Sequence, residues 1–151
     1  MPSTPQDRRN FLGAGALAAA TAFVPNEAAA QPADGRVTSH VLDLYSGKPA
    51  AGIRIELLLR DGDAWRVLKD ETSDADGRSP GGQLLAGAAL ATGRYQAAVH
   101  VGDYFKQIGA QLPAGYHAKL LLEFEVYDAK RTYHLVFQIT PWTQSASVFP
   151  G

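Results

Sequence analysis

The chain is predicted to be all-β: a sandwich of seven to eight short strands with one short helix. Three observations predict it. Short runs rich in Val, Ile, Leu, Tyr and Phe recur with the period-two alternation of a pleated strand. Turn signals built from Gly, Pro and Asp separate these runs at regular spacing. A single segment, Asp103 to Gly109, has a helical pattern, one or two turns long with Gly109 as its stop. A barrel is the structural alternative, because strands with one wet face suit either architecture.

Residues 1–30 are set apart from this pattern. Arg8-Arg9-Asn10-Phe11-Leu12 is a twin-arginine motif, an apolar run from Gly13 to Val24 follows it, and Ala28-Ala29-Ala30 is a small-residue cleavage site. The run is too short and too weakly apolar to span a membrane. The expectation is an exported, periplasmic protein whose mature domain covers residues 31–151.

Along that domain, Val37 to Leu44 alternates Val37, Ser39, Val41 and Asp43 with Thr38, His40, Leu42 and Leu44. Ser46 to Pro49 is a turn. Gly52 to Arg60 alternates apolar and charged residues, and Asp61-Gly62 turns it into a return strand, Ala64 to Glu71. Thr72 to Ser79 is a polar turn of residues that tolerate left-handed backbone. A short strand is expected at Gly81 to Leu85, a longer one at Gly93 to Val101, and a clear one at Lys119 to Tyr127. The final strand follows Arg131. Its row of Tyr133, Leu135, Phe137 and Ile139 suits a core, and Pro141 ends it.

Composition excludes several function classes. A length of 151 residues gives one domain. A net charge of −1, with both signs dispersed, offers no basic face for nucleic acid. With no cysteine there is no disulfide, thiolate nucleophile or thiolate metal site. The chemistry then falls to four histidines, His40, His100, His117 and His134, and to well-placed cations. His40 and His134 stand in mid-strand, on faces opposite the core rows. Arg78 follows Asp76-Gly77 in a tight turn. Two imidazoles and a guanidinium suit hydrolysis at a polarised carbonyl: a base for water and a cation for the oxyanion. A strand histidine is also a common hydrogen-bonded structural residue, so spacing alone leaves both readings open. Two histidines without a nearby carboxylate fall short of a catalytic zinc set. Glu123 and Glu125 share a solvated face, Asp74 and Asp76 are turn formers, His100 and His117 are surface or structural, and Ser39 points away from its neighbour His40.

The segments Ser39-His-Val-Leu-Asp43, Gly47-Lys-Pro-Ala50, Thr72-Ser-Asp-Ala-Asp-Gly-Arg78, Gly102-Asp-Tyr-Phe105, Tyr133-His134 and Pro141-Trp142 together resemble the transthyretin-like 5-hydroxyisourate hydrolases. The resemblance runs from about Val37 to Trp142. It implies a two-sheet, prealbumin-type sandwich, a homotetramer with its sites between dimers, and a small cyclic substrate opened in urate degradation. It also implies that no metal or cofactor is used. On the family's pattern the catalytic residues fall on His40, Arg78 and His134, with Gln138, Ser145 and Ser147 at substrate-binding positions. Transthyretin, the hormone carrier of this family, lacks the trio. The chain departs from the hydrolase pattern at its end: Ser147 and Val148 stand where Tyr-Arg-Gly-Ser would begin. That departure keeps two other readings in view, a small-ligand-binding module and a hydrolase of a different cyclic ureide. A structural sandwich without a site is the third.

Overall fold

A computed structural model describes residues 34–151 of the chain. The export-signal reading of residues 1–30 therefore lies outside the described residues. Nine strands form among these residues: β1 (Arg36–Asp43), β2 (Lys48–Pro49), β3 (Arg54–Asp61), β4 (Ala64–Thr72), β5 (Leu85–Ala86), β6 (Gly93–Val99), β7 (Leu120–Val126), β8 (Thr132–Ile139) and β9 (Gln144–Pro150). One helix, α1 (Val101–Gln107), lies between β6 and β7. The strands make two separate sheets, one ordered β2-β1-β8-β9 with β5 also on β1, the other β4-β3-β6-β7. Two separate sheets with a core between them are a sandwich, not a barrel.

The core follows from the alternation. Val37 and Val41 of β1 and Tyr133, Leu135, Phe137 and Ile139 of β8 are buried on the inner face of one sheet. Ile55 and Leu57 of β3, with Tyr95, Ala97 and Val99 of β6, face them from the other sheet. Burial of this kind, about 25 cal/mol per Å² of apolar surface, drives the assembly. β1 and β8 run parallel as neighbours, so the first and last expected strands do lie in one sheet.

Three local expectations need correction. The segment Gly81 to Leu85 is not a strand: Pro80–Gly82 is a 3-10 turn, with Gly81 and Gly82 at positive φ, and only Leu85–Ala86 pairs with β1. The helix begins two residues earlier than expected, at Val101. It ends at Gln107, with the expected stop, Gly109 at φ 76°, two residues beyond. The strand that follows Arg131 is not the final one. Gln144–Pro150 form a full antiparallel partner for β8, from Ile139↔Gln144 to Tyr133↔Pro150. No hydrophobic row announces this strand, because Ser145 and Ser147 alternate with the small Ala146 and the single Val148.

His100 is structural, as expected, but buried. It joins β6 to α1, its Nε2 lies 2.7 Å from Glu56 Oε2, and Lys119 Nζ reaches the same carboxylate at 3.1 Å. The hydrogen bond from His100 and the Lys119 ammonium hold the Glu56 carboxyl below its ordinary value, against the effect of burial. Asp43 is likewise enclosed. Its carboxylate accepts hydrogen bonds from the amides of Tyr45 and Ser46 and from the hydroxyls of Ser46 and Tyr104. That shell ties α1 to the end of β1. Burial beside the Asp43 charge pushes the Tyr104 hydroxyl up to about 12.

Candidate active site

The outer face of the β1-β8-β9 sheet is a lattice whose rows follow from strand register. One row is Thr38, His134 and Phe149. The next is His40, Val136 and Ser147, and the third is Leu42, Gln138 and Ser145. Period two puts all nine on the same face, opposite the core. Arg78 enters the second row from the side, through an isolated antiparallel bridge to His40. So the fold brings His40, Arg78 and His134 to one surface. Gln138, Ser145 and Ser147 share it, with Gln138 and Ser145 a row beyond His40, 3.4 Å apart through Ser145 Oγ and Gln138 Oε1.

How Arg78 gets there is local chemistry. Asp74 Oδ1 accepts the amides of Asp76, at 2.9 Å, and Arg78, at 3.0 Å, closing the turn on itself. Gly77 takes φ 69°, and its carbonyl accepts the Val41 amide at 2.8 Å. On the inner side, Ser79 and Ser39 share a buried hydroxyl hydrogen bond of 2.7 Å. The turn is thus stitched to β1 on both sides of Arg78. A Cβ on Gly77 would stand 2.5 Å from the Val41 carbonyl oxygen and 3.0 Å from the Ala50 nitrogen, both backbone atoms. Gly77→Ala is therefore expected to cost at least about 1–2 kcal/mol, the left-handed backbone penalty alone. It should also displace Arg78. Urea unfolding measures the first effect, and the loss of Arg78-dependent activity measures the second.

His134 is fixed by a neighbour that the sequence reading passed over. Thr38 Oγ1 lies 2.7 Å from His134 Nδ1, across the β1–β8 pair, which leaves Nε2 for a ligand. Both imidazoles are half-buried, and burial holds both below the ordinary histidine value of 6.5. The Arg78 guanidinium pushes each further down. His40 adds a third push on His134. The Asp76 backbone and the Asp74 and Asp76 carboxylates pull His40 back up in part. The three groups therefore sense one another, and the shift favours the uncharged form of both rings. An uncharged imidazole is a base, and a guanidinium beside it stabilises negative charge on oxygen.

In the single chain this surface is open. A cavity of about 590 Å³ lies elsewhere, beside the β7 and β9 edges, lined by Tyr116, His117, Leu121 and Trp142 among others. A smaller one, about 270 Å³, is lined by Arg60, Trp65, Arg94 and Glu123 on the other sheet. Neither contains His40, Arg78 or His134. The trio converges on a face, not in an enclosed pocket. Glu123, Asp74 and Asp76 are where the sequence placed them: Glu123 pairs with Arg94 at 2.6 Å on a solvated face, and the two aspartates sit in the turn.

Comparison with known proteins agrees with the fold. The family model described as HIUase/Transthyretin matches residues 37–148. A 5-hydroxyisourate hydrolase 2 of Rhizobium meliloti (strain 1021) is 39% identical over 112 residues, spanning 74% of this chain and 92% of the relative. The structure of Klebsiella pneumoniae 5-hydroxyisourate hydrolase superposes with a TM-score of 0.62 at 26% identity, covering 75% of this chain and 96% of that one. Sea bream transthyretin in complex with thyroxine superposes with a TM-score of 0.70 at 18% identity, over 77% of this chain and 96% of that one, a likeness of fold alone. With the family model spanning most of the described sandwich and relatives of this similarity along nearly their whole length, the chain belongs to the HIUase/Transthyretin family.

Proposed function

We propose that the protein is a cofactor-independent hydrolase that opens the ring of 5-hydroxyisourate. The observation that carries this reading is the convergence of His40, Arg78 and His134 on one sheet face. The names of the similar proteins support the substrate.

The chemistry distributes over the face as follows. His40 takes a proton from water, its ring oriented by the Asp76 backbone. The hydroxide adds to a ring carbonyl, and Arg78 stabilises the oxyanion that forms. The ring C–N bond breaks, the departing nitrogen takes back the proton that His40 holds, and the new carboxyl group at the former carbonyl carbon loses its proton to solvent. His134, held through Nδ1 by Thr38, hydrogen-bonds the substrate on the other side of the reacting carbon. The open face needs a lid to exclude water. A second copy of the chain supplies it in the homotetramer that the family resemblance implies. Light scattering at micromolar protein should give four times the chain mass; a monomer with full activity would remove that part of the reading.

A second reading keeps the same face as a small-ligand site without turnover. What favours it is β9, which offers Ser145, Ser147 and Phe149 to the face and no charged group. Generating 5-hydroxyisourate from urate with uricase, in tenfold excess over the protein, separates the two. Catalysis clears the excess faster than buffer does. A binding module protects one equivalent and leaves the rest to decay at the spontaneous rate.

We further propose that the mature domain works in the periplasm, on the strength of the twin-arginine signal. Arg8→Lys with Arg9→Lys should hold the full-length protein in the cytoplasm in a fractionation experiment. Unchanged periplasmic recovery would refute export by that route.

A further inference from the structure

The row that carries His134 ends in an aromatic ring that no part of the mechanism above uses. Phe149 is the direct cross-strand partner of His134. It lies on the site face and is 56% exposed. It is not held there by a frayed end. Beyond it the Gly151 amide donates to the Thr132 carbonyl at 2.8 Å, and Arg131 Nε donates to the Gly151 carbonyl at 3.0 Å. Ala146 and Val148, on the opposite face of β9, pack against the core and fix which way the strand turns. A large apolar side chain is thus displayed beside the reactive imidazole on a pinned strand.

We propose that Phe149 is the specificity-determining wall of the site, stacking on the ring face of the substrate while His134 and Arg78 engage its polar edge. This rests on the hydrolase reading. The remainder of the β9 contribution is small hydroxyls, Ser145 and Ser147, which hydrogen-bond but make no ion pair. Recognition at this end of the site therefore comes from the flat area of the ligand. The class selected is a flat, fused-ring ureide, in preference to a small monocyclic one. Cross-strand neighbours stand close enough for an aromatic ring to share one ligand with the imidazole beside it.

The test is steady-state kinetics on Phe149→Ala and Phe149→Tyr. Loss of one stacking face is worth about tenfold in affinity. Phe149→Ala should raise KM for 5-hydroxyisourate by about that factor with kcat changed less than threefold, and Phe149→Tyr should restore KM. Competitive inhibition by urate, a planar fused ring, should weaken by a similar factor. Inhibition by hydantoin, a monocyclic ureide, should stay as it was. Unchanged KM and urate inhibition in Phe149→Ala would overturn the proposal, and so would a fall in kcat alone. If the wild type shows no turnover, the hydrolase reading fails by itself. Urate binding measured by calorimetry then decides the role of Phe149: weaker binding in Phe149→Ala supports it, and equal binding refutes it.

Discussion

His134→Ala is expected to lower kcat/KM for 5-hydroxyisourate by about 10²- to 10³-fold, the usual range for removing a preorganised hydrogen-bond partner of the transition state. The fold should survive. His134 is half-buried on the outer face, and its side chain pairs with Thr38 Oγ1 at 2.7 Å. The core row of β8 is untouched by the change. Thr38→Val is the companion variant. It keeps the β-branched shape and removes the hydroxyl, so the imidazole stays but loses its orientation. Its loss of activity should be smaller than that of His134→Ala, about tenfold, as expected for an outer hydrogen bond that positions a catalytic ring. If the two variants lost activity equally, Thr38 would have to act on the substrate directly.

Arg78→Ala has two expected consequences, and the second separates its role from simple binding. Loss of a preorganised cation at a developing oxyanion costs about 10²- to 10³-fold in kcat. Arg78 also depresses both imidazoles, second only to burial. A lowered base pKa means the neutral, working form persists to lower pH. In the wild type the acid limb of the pH–rate profile should fall below the ordinary 6.5. Removing the guanidinium lifts one of the two depressing effects on His40 and one of the three on His134, so both rings protonate at higher pH. Proton NMR of the ring carbons should show the His40 and His134 midpoints moving up in Arg78→Ala. Arg78→Lys should leave them near their wild-type positions, because the charge remains. It should still lose activity, because an ammonium lacks the planar fork of a guanidinium. Midpoints that do not move in Arg78→Ala would place the guanidinium away from the two imidazoles.

Most of this arrangement was legible in the residues. The inner rows of β1 and β8 declare themselves by alternation, and burial follows it residue by residue. Once both strands lie in one sheet, His40 and His134 must share the outer face. Arg78 was legible because Asp-Gly before it marks a tight turn, though only the bridge to His40 shows which strand the turn meets. Register was not legible. Parallel pairing of β1 with β8 puts Thr38, not His40, opposite His134, and pairing in space sets that, not spacing along the chain. The strand β9 was missed for a related reason. Its inner residues are Ala146 and Val148, too small to make a hydrophobic row, and it is recruited by the free edge of β8. Phe149 was missed with it, since its meaning depends on lying across from His134. The buried Ser39–Ser79 pair had no sequence signal: two serines 40 positions apart meet only because the Arg78 turn folds back on β1.

The central claim is that one face, carrying His40, Arg78 and His134, performs the ring opening. The most direct measurement follows formation of the ring-opened carboxylate by NMR after uricase treatment of urate. Wild-type protein is compared with the triple variant His40→Ala/Arg78→Ala/His134→Ala, matched for circular dichroism and oligomeric mass. The account predicts that wild type forms the product well ahead of buffer and that the folded triple variant falls to the buffer rate. A folded triple variant that keeps the wild-type rate would contradict it.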